Sequence, residues 1–259
     1  MLRPAIRLAA TAALSGCLFR GGGPKPPPPS ETVETTRVRA DSLYRVAEGH
    51  FRLGRWSKAV ETLDRALRIM DYADSRRARG SFILAEAQLA QGNHLEAVRQ
   101  FRRVADEGAS DSLAPDALLR AGDAYAQLWH RPELDPTYGE SALTTYREVV
   151  ERYPATPAAA RAQKRIQLLQ ERFAEKEYRT GLFYLRYKAY DSAILTFRHV
   201  VASYPRARVV PEALSRLVQA YQTLDYVEDL RETCQYIRQF YPETVSTVGR
   251  RCPAAADTT

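Results

Sequence analysis

Apolar residues recur along this chain at helical spacing, and the recurrences fall into register. Ala142, Tyr146 and Val149 stand at offsets of zero, four and seven, and the same offsets pick out Ala193, Phe197, Val200 and Leu230, Cys234, Ile237. Steps of three and four place such residues on one face of an α-helix. Each run closes on a tyrosine-proline pair: Tyr153-Pro154, Tyr204-Pro205 and Tyr241-Pro242. Proline has no N–H to donate and crowds the preceding turn, so the spacing predicts a helix ended three times at the same point of its apolar stripe. The first half repeats the offsets in Ala59, Leu63, Ala66 and Ala97, Phe101, Val104, with Asp71 and Ala109 where the proline would fall. Small residues Ala47, Ala85 and Gly181 lie eleven to thirteen positions upstream of their anchors. Gly54 and Gly92 stand five before theirs, where one helix turns into the next. Helix is expected almost throughout from about Val38 to Tyr241.

Five units in register predict an all-α solenoid, and the unit resembles the tetratricopeptide repeat, which runs over about 34 positions. Gly181, Tyr184, Tyr190, Ala193, Phe197 and Pro205 carry that resemblance most fully. The third unit holds roughly eight extra residues around Arg131–Pro136, relative to the repeat length. Aromatic residues at these spacings are expected to fill the helix pairs. Solenoids of this kind present long surfaces to other macromolecules rather than a reaction centre.

The N-terminus supplies an address. Arg3 and Arg7 precede a short apolar run, Leu8–Leu14, far less than the roughly 20 residues that span a bilayer. Residues 1–16 therefore read as a signal peptide. Leu14-Ser15-Gly16-Cys17 resembles the bacterial lipobox, which implies cleavage before Cys17 and acylation (palmitate among the chains) of that residue. Residue 18 is Leu rather than Asp, so the retention signal for the inner membrane is absent and the outer membrane is favoured. Residues 17–37, rich in Gly and Pro, read as a tether between membrane and solenoid. Residues 243–259 read as a C-terminal tail, disordered from Pro253.

Composition adds little chemistry. The formal charge of +7 is nearly all arginine, with Lys at 25, 58, 164, 176 and 188 only. Arginine is spread among Glu and Asp, so no nucleic-acid face is expected. His50, His94, His130 and His199 are far apart, and neither metal-ligand spacing nor a phosphate loop nor a nucleophile motif occurs. The chain is expected to be no enzyme, with no cofactor and no metal. Apart from Cys17, the cysteines are Cys234 and Cys252. They could form a disulfide tying the tail to the last repeat, or Cys234 could pack as a small free hydrophobe.

One stretch points to a family. Residues 142–157 (ALTTYREVVERYPATP), 162–169 (AQKRIQLL) and 172–178 (RFAEKEY) lead into Phe183-Tyr184 and Ala189-Tyr190. After them come residues 197–205 (FRHVVASYP), Glu212-Ala213-Leu214 and Ala220-Tyr221. A long helix entering a Tyr-rich repeat, together with the lipobox and five units, resembles the BamD family of β-barrel assembly lipoproteins over about residues 39–242. The resemblance implies a lipid-anchored protein on the periplasmic face of the outer membrane, working with the barrel-forming subunit, other machinery lipoproteins and unfolded outer-membrane proteins. It divides the solenoid into repeats over 38–172, which receive the unfolded clients, and repeats over 173–242, which bind the subunit.

In this repeat type the first helix of each pair lines the concave face. Client-binding candidates are therefore Tyr44, Glu48, Phe51, Phe82, Glu86 and Leu89, and partner-binding candidates are Tyr178, Arg179, Leu185, Arg186 and Arg216. The alternatives are a cell-envelope coordinator of the Tol-Pal type, which has a coiled coil and no lipobox, and an enzyme with a repeat domain, for which the length leaves no room.

Overall fold

The computed structural model describes residues 32–107 and 112–252. The signal segment, Cys17, the Gly/Pro run and the residues from Pro253 lie outside that range. Among the described residues the chain is helical, without a strand. Five antiparallel pairs follow one another: α1 (Val33–Arg52) with α2 (Trp56–Ile69), α3 (Arg77–Ala90) with α4 (His94–Glu107), α5 (Ala114–Leu128) with α6 (Thr137–Arg152), α7 (Pro157–Arg186) with α8 (Tyr190–Ser203), and α9 (Val210–Leu224) with α10 (Val227–Phe240). Each helix packs on the next, and α5 also packs on α7.

The turn inside four of these pairs is one structure made four times. Five positions before each anchor, Gly54, Gly92, Lys188 and Asp225 all adopt positive φ, at 68°, 81°, 61° and 59°. The following amide then donates back across the turn: Arg55 to the His50 carbonyl, Asn93 to Gln88, Ala189 to Tyr184 and Tyr226 to Tyr221, at 2.9–3.0 Å. This left-handed C-terminal motif satisfies carbonyls that the helix end would leave bare. The third pair lacks it, because the extra residues replace the tight turn by the loop 129–136.

The other recurrent punctuation is the tyrosine before proline. Tyr153, Tyr204 and Tyr241 close α6, α8 and α10 with φ between −131° and −138° and ψ between 52° and 57°. Each thus lies outside the α region, which a following proline disfavours. Tyr241 also donates its hydroxyl to the Pro205 carbonyl at 2.7 Å, binding one stop to the preceding one.

Packing follows the offsets. Tyr146, Phe197, Phe101 and Leu63 are essentially inaccessible to solvent, as are Val149, Val200 and Ile237. Opposite them stand glycines whose missing side chain makes the room. A Cβ on Gly181 would meet Phe197 Cε1 at 2.5 Å, and one on Gly122 would meet Tyr146 Cε1 at 2.5 Å. Gly122 is the third unit's small residue, set eight positions earlier than the repeat places it by the inserted loop. A Cβ at Gly139 would strike Trp129 Cε3 at 2.4 Å, so the loop contributes a buried indole of its own.

The core divides within α7. Ala158, Ala162, Leu169 and Phe173 belong to the apolar cluster of α3–α6, whereas Ala174 belongs to that of α8–α10. The apolar core therefore changes after Phe173, inside a continuous 30-residue helix. Tyr204 packs against both clusters and bridges them.

One boundary read from sequence is corrected. The tether does not extend to residue 37, because Thr32 caps a helix that starts at Val33, its hydroxyl oxygen accepting the Thr35 amide at 3.3 Å. The C-terminal tail, through residue 252, is packed on the last pair. Short 3₁₀ turns at Pro242–Thr244 and Gly249–Arg251 flank α11 (Val245–Val248), and the segment lies against α9 with Thr244 and Val248 buried. Gln222 donates to the Arg251 carbonyl at 2.9 Å, and Cys252 is joined to Cys234 by a disulfide with a Cα–Cα separation of 5.6 Å. The two cysteines are thus bonded, and Cys234 is at once a core residue and half of that bond.

Candidate functional site

The N-terminal stripe is not the open apolar surface that its spacing predicts. Tyr44 is 4% exposed and Leu89 7%, so both are core residues and are withdrawn as binding candidates. The Tyr44 ring lies over Gly80 of α3, where a Cβ would come within 3.2 Å of it, and burial raises its phenol pKa. Phe51 and Phe82 are half-buried, each edge-on to another ring: Phe51 to Trp56 at 5.3 Å and Phe82 to Phe101 at 5.4 Å. Glu48 lies 3.7 Å from Arg79, and Glu86 receives two bonds from Arg120, at 2.5 and 2.6 Å. The reason is enclosure. On α3, Ile83, Leu84, Ala85, Ala87, Gln88 and Leu89 are all buried, so the helix has no wide open face.

The C-terminal set also divides. Tyr178 tilts against Phe197 at 5.7 Å, and Leu185 packs on the same core, so both hold the fold. Arg179 is already engaged, paired with Glu133 of the inserted loop and with Glu175 at 2.6 Å. Arg186 and Arg216 are exposed; Arg216 donates to Gln219 at 3.1 Å.

Around Arg186 the structure adds residues that the spacing did not single out. Phe183 and Tyr187 are 51% and 69% exposed, with ring centroids 4.6 Å apart, and Tyr184 meets Phe183 at 5.8 Å. They form an aromatic patch with arginine at the end of α7. Steps of three and four from Phe183 to Arg186 and Tyr187 were the available signal.

A second feature is a groove of about 810 Å³ between α5, α7 and the start of α9, with Pro132 of the loop at its edge. Leu168, Leu169 and Val209 supply apolar wall, while Arg120, Arg165, Arg172 and Arg208 face Asp123, Glu171, Glu175 and Glu212. Most of this charge is internally matched. Asp123 accepts from the Tyr146 hydroxyl at 2.8 Å and lies 3.1 Å from both Arg120 and Arg165. Burial, with Asp123 alongside, pushes the Tyr146 phenol up and keeps it protonated. Arg208 reaches Glu171 with its backbone N–H at 3.0 Å and its side chain at 3.8 Å. Arg172 differs: it donates to the Trp129 carbonyl and stacks 4.5 Å over the indole ring. Arg165, Leu168, Arg172, Glu175 and Arg179 follow one another at three and four along α7, a stripe legible in sequence that was not read as a surface.

Among the described residues no cluster of three or more His, Cys, Asp or Glu side chains could hold a metal ion. What the surfaces offer is rings, guanidinium groups and an amphipathic groove, which is the chemistry of polypeptide recognition.

The sequence profile of the YfiO family, described as outer membrane lipoproteins, matches residues 37–236. The chain belongs to this family. The outer membrane protein assembly factor BamD of Caulobacter vibrioides is 27% identical over 243 residues, covering 93% of this chain and 77% of that protein. The factor of the same name from Neisseria gonorrhoeae is 23% identical over 247 residues, covering 90% and 88%. Among solved structures, the TPR2AB domain of yeast Sti1 in its Hsp90 complex is similar at a TM-score of 0.42 and 14% identity, covering 81% of this chain and 82% of that one. The YfiO-family match takes in the groove and the aromatic patch, and it ends before the C-terminal segment that Cys252 ties down.

Proposed function

We propose that this chain is a non-catalytic scaffold of outer-membrane protein assembly, anchored by lipid at Cys17 on the periplasmic face of the outer membrane. Its C-terminal repeats bind the barrel-forming subunit of the machinery, and the first helices of its N-terminal repeats receive unfolded outer-membrane proteins. Membership of the YfiO family, with two relatives named as assembly factors covering most of the chain, supports the general role. The observation that carries the partner assignment is the exposed patch of Phe183, Tyr187 and Arg186. Aromatic rings and arginine are the residues enriched where protein interfaces bury most tightly. Clients would meet the solvent-facing edges of Phe51 and Phe82, which remain half-exposed beside their ring partners.

Co-purification from solubilised outer membrane tests the assignment. Arg186→Glu and Phe183→Ala are expected to weaken recovery of the subunit by roughly tenfold or more, as loss of a central interface residue does. Both positions are exposed, so each variant should keep its helical spectrum and melting temperature. Folded variants that recover as much subunit as the parent protein would refute the C-terminal docking face.

A further inference from the structure

We infer that the loop end of the groove is a carboxylate-binding site for an extended peptide, with Arg172 as its cation. A small cavity of about 390 Å³ opens there, and its polar lining is His94, Gln127, Trp129, His130 and Arg172. No carboxylate lines it. The contrast with the adjoining groove is sharp, since there Arg120 and Arg165 share Asp123, and Arg208 has Glu171. Arg172 uses one N–H on the Trp129 carbonyl and makes no ion pair with the acids of the groove. Burial alone acts on its guanidinium, pulling the pKa down, whereas a nearby acid would raise it.

Two further groups in the same wall lack partners. Trp129 is 1% exposed and its indole N–H, which can only donate, is unsatisfied; His94 Nδ1 is likewise buried without a hydrogen bond. An unpaired indole N–H beside a half-buried, uncompensated guanidinium suits a planar oxyanion, and the arginine fork matches a carboxylate with two parallel hydrogen bonds. Ala126, Gln127, Pro132 and Arg172 line both the cavity and the groove, so the two spaces adjoin. A carboxylate held by Arg172 therefore places its chain against Leu168, Leu169 and Val209. The occupant is a peptide carrying an acid beside apolar side chains, from its own terminus or from Asp or Glu.

This inference rests on the proposed function only in that an unfolded client would supply such a peptide. Its test needs no other member of the machinery, so its failure leaves the co-purification result standing. The chain has two tryptophans, and Trp56→Phe leaves Trp129 as the sole indole reporter. The purified chain is titrated with an acetylated heptapeptide of alternating Phe and Ser ending in a free carboxylate, with its C-terminal amide, and with the amide carrying one internal Glu. Binding is read by Trp129 fluorescence and by calorimetry. One or both acid peptides are expected to bind roughly 10- to 100-fold more tightly than the plain amide, the range of a charge-assisted hydrogen bond. Whichever binds names the source of the carboxylate. Arg172→Gln should abolish the preference and Arg172→Lys should keep part of it. The comparison of acid with amide on the parent protein decides the matter even if an Arg172 variant misfolds. Equal binding of acid and amide overturns the proposal. So does a folded Arg172→Gln chain that keeps the preference, or binding of inorganic phosphate or phosphatidylglycerol vesicles with no peptide binding at all.

Discussion

Lys188 is the residue whose backbone the fold strains most plainly. It sits at φ 61° in the turn between α7 and α8, where the first two repeats place Gly54 and Gly92. A side chain in the left-handed region crowds the following carbonyl and costs about 1–2 kcal/mol, while glycine takes that conformation freely. Glycine also loses about 0.4–1 kcal/mol more entropy on folding, which offsets part of the gain. Lys188→Gly is therefore expected to stabilise the chain by about 0.5–1 kcal/mol, seen as a higher denaturant midpoint with an unchanged slope. Asp225, at φ 59°, should gain less on the same change, because a short polar side chain tolerates this region better. A lower midpoint for Lys188→Gly would mean that the lysine side chain makes a contact outweighing its strain.

At the scale of elements, the apolar offsets and the tyrosine-proline stops were enough to place the helix pairs. Each records a local requirement: three-four spacing for a buried face, and the loss of the α conformation before a proline. The candidate surfaces were less legible, for two reasons. A first helix in this solenoid touches a partner on more than one side, so Tyr44 and Leu89 share the spacing of surface residues yet lie in the core. The arginines are also matched across long stretches of chain, as in Arg120 with Glu86 and Arg179 with Glu133, and only the fold shows which of them remain free. The same long-range pairing fixes the start of the solenoid. Arg76 holds Asp74 in its own loop at 2.6 Å and Asp41 of α1 at 2.5 Å. Hydrogen bonds from the Arg76 side chain and backbone lower the Asp74 carboxyl to about 2. Its unfolded value is near 3.9, so the stabilisation is complete above about pH 4 and is lost as pH falls toward 2. Thermal unfolding followed through Trp56 of α2 should show the midpoint dropping over that window, and Asp74→Asn should flatten the drop. An equal acid response in both chains would assign the loss to other carboxylates.

For the whole molecule, the proposed function sets the chain at the outer membrane, and the attachments it could use there are separable. Among the described residues no helix is long and apolar enough to cross a membrane. Acyl groups at Cys17 and adsorption of the chain's excess positive charge to anionic lipid respond differently to salt. Surface attraction between charges fades within a Debye length of about 8 Å at physiological ionic strength and shrinks further in concentrated salt. Burial of acyl methylenes, at about 0.8 kcal/mol each, does not weaken with salt. A protein partner is a third attachment, and the proposed docking face lets it be removed separately. The parent chain should stay with membranes through a 1 M salt wash (Debye length about 3 Å). Cys17→Ala should be released by that wash to the extent that the subunit no longer retains it, and Cys17→Ala combined with Arg186→Glu should be soluble at any ionic strength. Retention of the double variant after the wash would show that neither the acyl group nor the aromatic-arginine face accounts for the attachment.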